Sequence, residues 1–365
     1  MNENKIRAIA FYLPQFYPTP ENDEWWSPGF TEWTNVGKAK PLFRGHNQPR
    51  VPADLGYYDL RMPEVREKQA SLARQYGIEG FCYWHYWFNG KRLLDRVFHE
   101  VVESKKPDFP FCLCWANHSW YAKTWDPNSP DKLLMEQTYG GEDDYTAHFY
   151  AMLPAFKDNR YIRVDGKLVF GIFDVGFKDF KTFSDIWNRL AKKNGLDGFF
   201  FFGLCQEAYR TELAFQNGIE NVVVGCLVDT YYFTGSKVTK KIKTYRRNWF
   251  HKPYVVHYDN YVNYSNDFFC RVYENNPNII PCIEPGFDHS PRSGHRGVVF
   301  DKVTPEKWGK VCNNVINLIR SSKTHSEKLL FIKAWNEWAE GNYLEPDIQY
   351  GHQFLEELLN ALYRK

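Results

Sequence analysis

The chain has 365 residues, of which 43% are hydrophobic, and this is enough for a sizeable core in one large domain or two small ones. The formal net charge is only +2, and Lys and Arg are scattered rather than concentrated on one face, so we expect no nucleic-acid partner. No run is long and apolar enough to predict a membrane span.

The amino terminus and the cysteines indicate the same kind of environment. MNENKIRAIAFYLPQFY lacks the charged-then-apolar pattern of a signal peptide, so we expect a soluble, cytoplasmic protein. Most of the eight cysteines lie in apolar runs, where Cys acts as a small hydrophobe, and none forms a C-x-x-C pair. The sequence therefore predicts neither a zinc site nor a redox motif.

Eight short apolar runs predict strands. Most are continuous rather than alternating, as expected for parallel strands covered on both faces. They are IRAIAFYL (6–13), IEGFCYWHYW (78–87), FPFCLCWAN (109–117), KLVFGIFD (167–174), GFFFFGLC (198–205), NVVVGCLV (221–228), NIIPCIEP (278–285) and KLLFIKAW (328–335).

Helix-like segments separate these runs. They cover residues 62–77, 91–104, 142–156, 180–195, 207–218, 304–322 and 352–365. Thr304 can be the N-cap of the sixth helix, with Pro305 as its first residue. The segment 236–275 is long, basic and Tyr-rich, and its secondary structure is the least well indicated.

Eight strands, each followed by a helix or a helix-sized insertion, predict an α/β fold of the (β/α)8 TIM barrel type with extended βα loops. We expect residues 1–365 to form a single catalytic domain. The chief alternative is a doubly wound open sheet. Its nucleotide-binding signature, G-x-G-x-x-G after the first strand, is absent, and FYLPQFYP stands there instead.

In such a barrel the active site lies at the carboxyl ends of the strands. The residues just past the predicted strands are unusually rich in acids, amides and aromatics, which suits a sugar, because rings stack on aromatic faces and hydroxyls pair with polar groups. The predicted substrate-binding residues are Tyr12, Trp84, His85, Tyr86, Trp115, Asn117, His118, Asp174, Glu207, Asp229, Tyr231, Asp288, Arg292, Asn336 and Trp338.

Two glutamates just past the eighth strand, Glu337 and Glu340, are the best candidates for catalysis. One carboxyl can donate a proton to the departing glycosidic oxygen while another assists from the opposite side. The neighbouring Trp338 could help to raise the pKa of an acid. One of the pair could instead only brace the loop, and Glu345, next to Pro346, is expected to shape the turn.

Other acidic and histidine residues have simpler interpretations. His85 and His118 could bind a metal with Asp174 or Glu207, but their spacing is not compact, and we expect no metal and no cofactor. Asp143 and Asp144 resemble the acidic pair with which some glycosyltransferases hold a metal–nucleotide. They also fit a helix N-terminus, which is the favoured interpretation.

These segments together resemble a known family. NEWAEGNYLEP (336–346) is similar to the N-E-W-x-E-G-x-x-[IL]-E-P motif of glycoside hydrolase family 99 and of the related WbsX-like family. The WbsX-like resemblance covers nearly the whole chain, through FYLPQFYPTPEND (11–23), GIEGFCYWHYWFNGKRLL (77–94), FCLCWANHSWYAKTWD (111–126) and GFDHSPR (286–292).

The resemblance implies a barrel without a required metal and a retaining, endo-acting mechanism. In family 99, endo-α-mannosidases are proposed to use the 2-hydroxyl of the substrate as nucleophile, through a 1,2-anhydro sugar. Carried over to this chain, Glu337 takes the 2-hydroxyl proton and Glu340 is the acid/base at the glycosidic oxygen. The first strand, FYLPQFY, departs from the family 99 pattern, so mannose is not implied as the sugar.

Three functions remain open. The preferred one is an endo-acting glycoside hydrolase on a bacterial poly- or oligosaccharide. The alternative, which the WbsX-like resemblance favours, is a glycosyltransferase of O-antigen or capsular polysaccharide synthesis. A non-catalytic carbohydrate-binding protein is less favoured, because binding alone does not need both glutamates. Neither the sugar nor the oligomeric state is indicated.

Overall fold

Strands alternate with helices along residues 5–123, 130–325 and 327–363, which the computed structural model describes. The strands are β1 (Arg7–Tyr12), β2 (Ile78–Phe88), β3 (Lys91–Leu93), β4 (Phe111–Trp115), β5 (Trp120–Ala122), β6 (Lys132–Met135), β7 (Arg163–Val164), β8 (Lys167–Ile172), β9 (Phe199–Cys205), β10 (Asn221–Val224), β11 (Tyr254–His257), β12 (Ile279–Ile283), β13 (Val298–Asp301), β14 (Leu329–Ile332), β15 (Asn336–Glu337) and β16 (Asn342–Tyr343).

The helices alternate with the strands along the chain. They are α1 (Pro20–Trp25), α2 (Glu32–Lys38), α3 (Pro63–Gln75), α4 (Arg96–Ser104), α5 (Gly141–Phe156), α6 (Phe180–Lys193), α7 (Arg210–Gln216), α8 (Leu227–Phe233), α9 (Lys237–Phe250), α10 (Tyr258–Val272), α11 (Ser290–Ser293), α12 (Pro305–Ser321) and α13 (Gln353–Tyr363). In the described ranges, no helix combines the length and the apolar character needed to cross a membrane.

Eight parallel strands close into a barrel, in the order β1, β2, β4, β8, β9, β10, β12, β14 and back to β1. Closure follows from β1, which pairs with β2 on one side and with β14 on the other. The predicted (β/α)8 barrel is therefore confirmed. It places the loops that follow the eight strands together at one end, where barrel enzymes carry their sites.

The apolar runs fill two layers of core. Inside the barrel, the ring of Phe331 lies 4.9 Å from that of Phe202 and 5.6 Å from that of Phe11. Because β9 and β14 are not neighbours in the sheet, the first contact crosses the interior. Outside it, Trp187 of α6 packs on Phe170 and Phe199. Burial on both faces explains why the strands read as continuous apolar runs.

Two predicted elements are wrong at their ends. The segment 91–104 does not begin as a helix: Lys91–Leu93 forms β3, a hairpin partner of β2, and α4 begins at Arg96. Asn89 and Gly90 have φ angles of 44° and 91°, which suit the two-residue hairpin turn that Asn-Gly favours. The sixth predicted strand also ends early, because Leu227 already begins α8.

Several local predictions are confirmed. The Thr304 side chain accepts a hydrogen bond from the Lys307 amide at the start of α12, and Asp143 and Asp144 lie in the first turn of α5. The predicted C-terminal helix extends to residue 365, but residues 364 and 365 lie outside the described residues. The segment 236–275 resolves into α9, β11 and α10, and β11 pairs with β13 outside the barrel.

Candidate active site

The chain bends sharply after the eighth barrel strand. β15 and β16 form a short antiparallel pair, and a single 3-10 turn, Trp338–Glu340, joins them. Gly341 ends the turn with a φ of 58°, and a Cβ atom there would lie 2.8 Å from the Cβ of Asp288. This tight reversal places Glu337 and Glu340 at the carboxyl end of the barrel.

Glu340 is held between two cations. Its carboxylate accepts hydrogen bonds from Arg292 Nη1 at 2.5 Å and from Lys333 Nζ at 2.9 Å. Burial alone would raise the pKa of Glu340, but the charges of Lys333 and Arg292 outweigh it and hold the pKa well below the usual range. Glu340 is therefore ionised at neutral pH.

Glu337 has the opposite character. It is buried, and burial together with the charge of Glu340 raises its pKa to about 7. Trp84 Nε1 donates to Glu337 at 3.0 Å, whereas Arg292 Nη2 is 3.4 Å away. A carboxyl that titrates near pH 7 can carry a proton under physiological conditions and release it during a reaction.

The two glutamates belong to a larger charged cluster at the end of the barrel. Arg292 also contacts the buried Glu32 of α2, at 3.0 Å from Nη2. Glu284, just past β12, is buried as well; burial raises its pKa to about 7, and Lys333 opposes that shift. Four carboxyl groups thus share two cations, Arg292 and Lys333, which cannot balance four ionised acids in a buried site.

Aromatic side chains border this cluster. The Trp84 ring stacks on Phe11 at 5.0 Å and meets Phe173 edge-on at 5.6 Å. Tyr86 is buried, and the charge of Glu337 adds to burial in raising its pKa. The His118 ring lies 4.8 Å from that of Phe173. The structure therefore brings Trp84 and Arg292 into contact with the glutamate pair, whereas His118 contacts Phe173 and has Asp174 as its charged neighbour.

Three predicted binding residues lie instead behind the barrel wall. The Tyr12 hydroxyl donates to Gln69 of α3, and the Trp115 indole donates to the Trp87 carbonyl. His85 Nε2 lies 2.7 Å from His148 Nε2 of α5. Their side chains follow the strand alternation towards the helices, so Tyr12, His85 and Trp115 pack in the outer core away from the cluster.

The considered metal ligands are not brought together. His85 faces α5, and burial lowers its pKa to about 3. Asp174 forms an ion pair with Arg210 at 2.6 Å. Across the described ranges, no group of three or more His, Cys, Asp and Glu side chains is arranged to hold a metal ion.

A second polar group follows β8, β9 and β10. Asn117 braces it by accepting from the Asp174 amide at 2.7 Å and donating to the Asp174 carbonyl at 3.1 Å. Asp229 accepts from the Ala208 amide at 2.8 Å. Burial raises the pKa of Glu207, and the charge of Asp229 adds to that shift. Asp174 and Glu207 follow β8 and β9, across the barrel from β14, whereas Asp229 follows β10 beside β12, and its charge adds to the raised pKa of Glu284.

Tyr231 lies outside both groups. Its ring packs edge-on against that of Tyr254 at 4.6 Å, so it supports β11 rather than the barrel rim.

Asp288 braces the loops around the cluster. It is fully buried, and its carboxylate accepts from His46 at 2.8 Å and from Gln48 at 2.6 Å. It lines a small cavity of about 170 Å³ that also contacts Arg50 and Tyr343. Burial would raise its pKa, but the contact with His46 leads the opposing interactions that lower it to about 2.

Asn336 and Trp338 have supporting positions too. Asn336 clamps the backbone of Leu13 through two hydrogen bonds, of 2.7 and 3.0 Å. Trp338 is buried and donates to Glu345 at 2.6 Å. Both side chains therefore hold the bend that carries the glutamates, and Trp338 points away from them.

Sequence reasoning missed Lys333 and Glu32 as members of the cluster. The signal for Lys333 was a lysine directly after four buried strand residues, a position where an unpaired charge would be costly. Glu32 carried no comparable signal, because an acid at the start of a helix is ordinary.

A closed barrel with buried acids, two cations and an indole at the carboxyl ends of its strands has the architecture of a barrel enzyme. The chain belongs to the family described as Glycosyltransferase WbsX, whose model matches residues 8–358. The predicted membership of the WbsX-like family is thus confirmed.

Two curated relatives come from Xanthomonas campestris pv. campestris, and each is described as uncharacterized protein WxcX. The protein of strain B100 is 34% identical over 370 residues, covering 98% of this chain and 49% of the relative. That of strain ATCC 33913 is 33% identical over 364 residues, with the same coverage. The chain spans about half the length of these relatives.

Solved structures share the fold at low identity. A glycoside hydrolase-like protein matches with a TM-score of 0.61 and 15% identity, covering 99% of this chain and 95% of the other. The family 99 endo-α-mannosidase from Bacteroides thetaiotaomicron matches with a TM-score of 0.56 and 13% identity, covering 100% and 96%. The predicted relation to family 99 is confirmed at the level of fold.

Proposed function

We propose that the chain is a retaining, endo-acting glycoside hydrolase that cleaves a bacterial poly- or oligosaccharide. The observation that carries this proposal is the pair Glu337 and Glu340, which share Arg292 and have pKa values shifted in opposite directions. Two carboxyls of opposite protonation state at one site are what glycosidic cleavage requires.

The charges favour a definite division of roles. Lys333 and Arg292 keep Glu340 ionised, so it has no proton to donate in the resting site, whereas Glu337, with a pKa of about 7, can hold one. The family resemblance implied the reverse assignment. We propose the roles that these resting protonation states support, because a carboxylate that two buried cations keep ionised cannot act as the proton donor.

The proposed chemistry uses the substrate's own 2-hydroxyl. Glu340 takes its proton while the 2-oxygen attacks the anomeric carbon, forming a 1,2-anhydro sugar. The bond from that carbon to the departing sugar breaks, and Glu337 protonates the released oxygen. Water then attacks the anomeric carbon from the opposite face and opens the anhydro ring. Glu337 takes the proton of the attacking water, and Glu340 returns its proton to the 2-oxygen. Two inversions thus give net retention and restore both glutamates.

The bordering side chains suit a sugar substrate. Trp84 is fixed by its stacking on Phe11, Tyr86 is buried near Glu337, and His118 Nδ1 has no hydrogen-bond partner among the described residues. We propose that Trp84 and Tyr86 pack on the sugar ring and that His118 and Arg292 contact its hydroxyls.

The test is a paired incubation of wild type and Glu340→Gln with the cell-surface polysaccharide of the source organism. Each is assayed with and without a pool of nucleotide sugars, and products are measured by mass spectrometry. Shorter fragments from wild type alone, without nucleotide sugar, support the hydrolase. Retained cleavage by Glu340→Gln contradicts the proposed site.

A second candidate function is a glycosyltransferase of O-antigen or capsule synthesis, which the description of the matching family favours. The same incubation separates the two. Growth of an acceptor only when nucleotide sugar is present would show that the site works in synthesis. Binding of the polysaccharide with neither product would instead identify a non-catalytic carbohydrate-binding protein.

A further inference from the structure

Helix α9 exposes an apolar stripe to solvent. Four of its side chains are spaced i, i+4, i+7 and i+11, which places them on one face of a helix. All four are more than half exposed, at 67% for Val238, 53% for Ile242, 55% for Tyr245 and 71% for Trp249. An ordinary surface helix buries such a stripe, so α9 has an unpartnered apolar face.

Three cationic side chains of α9 face the body of the protein, whereas an ordinary surface helix turns its charged side chains to solvent. Lys240, Lys243 and Arg247 are the half-buried residues that face the body of the protein. Lys243 Nζ lies 4.8 Å from the Tyr254 ring centroid, and Lys240 donates to the Tyr232 carbonyl. The body of the protein thus contacts the polar side of α9.

Further cations flank the exposed stripe. Lys237 and Lys241 project along one border and Arg246 along the other, and all three are exposed. The helix sequence KVTKKIKTYRRNWF contains six Lys and Arg and no acid. Two copies of α9 stacked through their stripes would bring these like charges together, so the fitting partner is anionic as well as apolar.

We propose that α9 docks the protein on the surface of an anionic lipid bilayer. A helix with Trp, Tyr and aliphatic residues on one face and Lys and Arg beside them lies in the plane of the membrane interface. The stripe would enter the boundary between headgroups and acyl chains, and Lys237, Lys241 and Arg246 would contact anionic headgroups. The docking does not depend on the proposed hydrolase activity.

The position of α9 gives this docking a direction. The helix lies in the connection that follows β10, at the carboxyl end of the barrel. The next strand, β11, pairs with β13. The Val298 carbonyl of β13 accepts a hydrogen bond from the His289 amide, which lies in the same loop as Arg292. A membrane bound by α9 therefore faces the same end of the barrel as Glu337 and Glu340.

The test is co-sedimentation of the full chain with vesicles. One set contains equal parts phosphatidylglycerol and phosphatidylcholine, and the other contains phosphatidylcholine alone. We expect wild type to bind the first set and to bind the second at least about tenfold more weakly. Equal binding to both sets, or binding to neither, would overturn the proposal.

Variants separate the contribution of the apolar stripe from that of the flanking cations. Ile242→Ser with Trp249→Ser removes the stripe, and Lys237→Glu with Lys241→Glu reverses its border; each pair should weaken binding at least about tenfold. Trp249→Phe should retain binding. Tyr363→Ser, which changes an exposed aromatic of α13 beside Gly77 at the other end of the barrel, is the matched control and should bind like wild type.

Two results with these variants would overturn the proposal. The first is wild-type binding by both double variants. The second is a concentration-dependent dimer in light scattering that the Ile242→Ser/Trp249→Ser change abolishes, without vesicle binding, which would assign the stripe to a second copy of the chain. Circular dichroism should be unchanged in all variants, because the substituted side chains are exposed.

Discussion

Lys333 and Glu340 form a buried ion pair across the bend that ends the eighth barrel strand, with 2.9 Å between Nζ and Oε2. Burial alone would lower the pKa of Lys333, but the charges of Glu340 and Glu337 raise it to about 12, so Lys333 stays protonated. This pair, with Arg292, separates the protonation states of two glutamates that lie three residues apart in the sequence.

Lys333→Met should destabilise the protein by about 3 kcal/mol at pH 7, because it leaves the buried carboxylate of Glu340 with one cation fewer. The free energy of unfolding from urea titration measures the effect. Lys333→Arg, which keeps the charge, is the control and should lose less. A loss under about 0.5 kcal/mol for Lys333→Met would show that solvent already compensates Glu340.

Glu337→Gln should lower turnover by roughly 10² to 10⁴ while leaving substrate affinity within a few fold, because the amide is nearly isosteric but cannot supply the proton. If Glu337 is the donor, the loss should largely disappear for a substrate with an acidic aryl leaving group, which needs no protonation. Steady-state rates on both substrates measure this. Rescue of Glu340→Gln instead would restore the assignment that the family resemblance implies.

The pH profile should report Glu337 directly. A donor with a pKa of about 7 works when protonated, so the turnover rate should fall as the pH rises through about 7. Turnover rates measured between pH 5 and 9 test this. Trp84→Phe removes the indole hydrogen bond that favours ionised Glu337, so the fall in rate should move to higher pH in that variant. A flat profile above pH 6 would exclude Glu337 as the donor.

The free energy of unfolding of Glu284→Gln should increase relative to that of wild type as the pH rises. Burial raises the folded-state pKa of Glu284 to about 7, above its unfolded value, so the folded protein holds the extra proton and wild type loses stability between about pH 4.5 and pH 7. The advantage of the variant should grow across that window by about 3 kcal/mol and then level off. Urea titrations at pH 4.5, 6 and 7.5 measure it.

Glu345→Ala should cost about 3 kcal/mol of stability, because Tyr58, Gln69 and Trp338 all donate to this buried carboxyl and would lose their acceptor. Since Glu345 only supports the bend, substrate affinity at low temperature should change little. Thermal unfolding measures the loss of stability, and binding assays at 10 °C, where the variant should still be folded, measure substrate affinity. Loss of binding in a fully folded variant would place Glu345 in the site itself.

Much of the barrel could be predicted because its signals are local. A run such as RAIAFY is buried along nearly its whole length, and its continuous apolar character is typical of a strand that is covered on both faces. The hairpin at Asn89 and Gly90 was missed, because the helical pattern of 96–104 was extended over it. The turn residues were a sufficient signal for β3.

The side-chain directions at the rim could not be read so well. A strand presents alternate residues to opposite faces, so Trp84 and Tyr86 reach the cluster while His85, between them, faces α5. Strand β2 continues to Phe88, so the residues near its end still alternate between the two faces of the sheet. Their position in the sequence alone does not say which of them point towards the active-site end of the barrel.

By itself the sequence determined the closed barrel and the place of Glu337 and Glu340 after the eighth strand, because apolar runs and motif spacing are encoded over neighbouring residues. Only the tertiary structure decided which glutamate holds a proton. Arg292 meets Glu32, 260 positions away in the chain, and Trp84 meets Glu337 at a separation of 253. Burial and charge act through space, so the pKa of each carboxyl depends on contacts that sequence distance does not reveal.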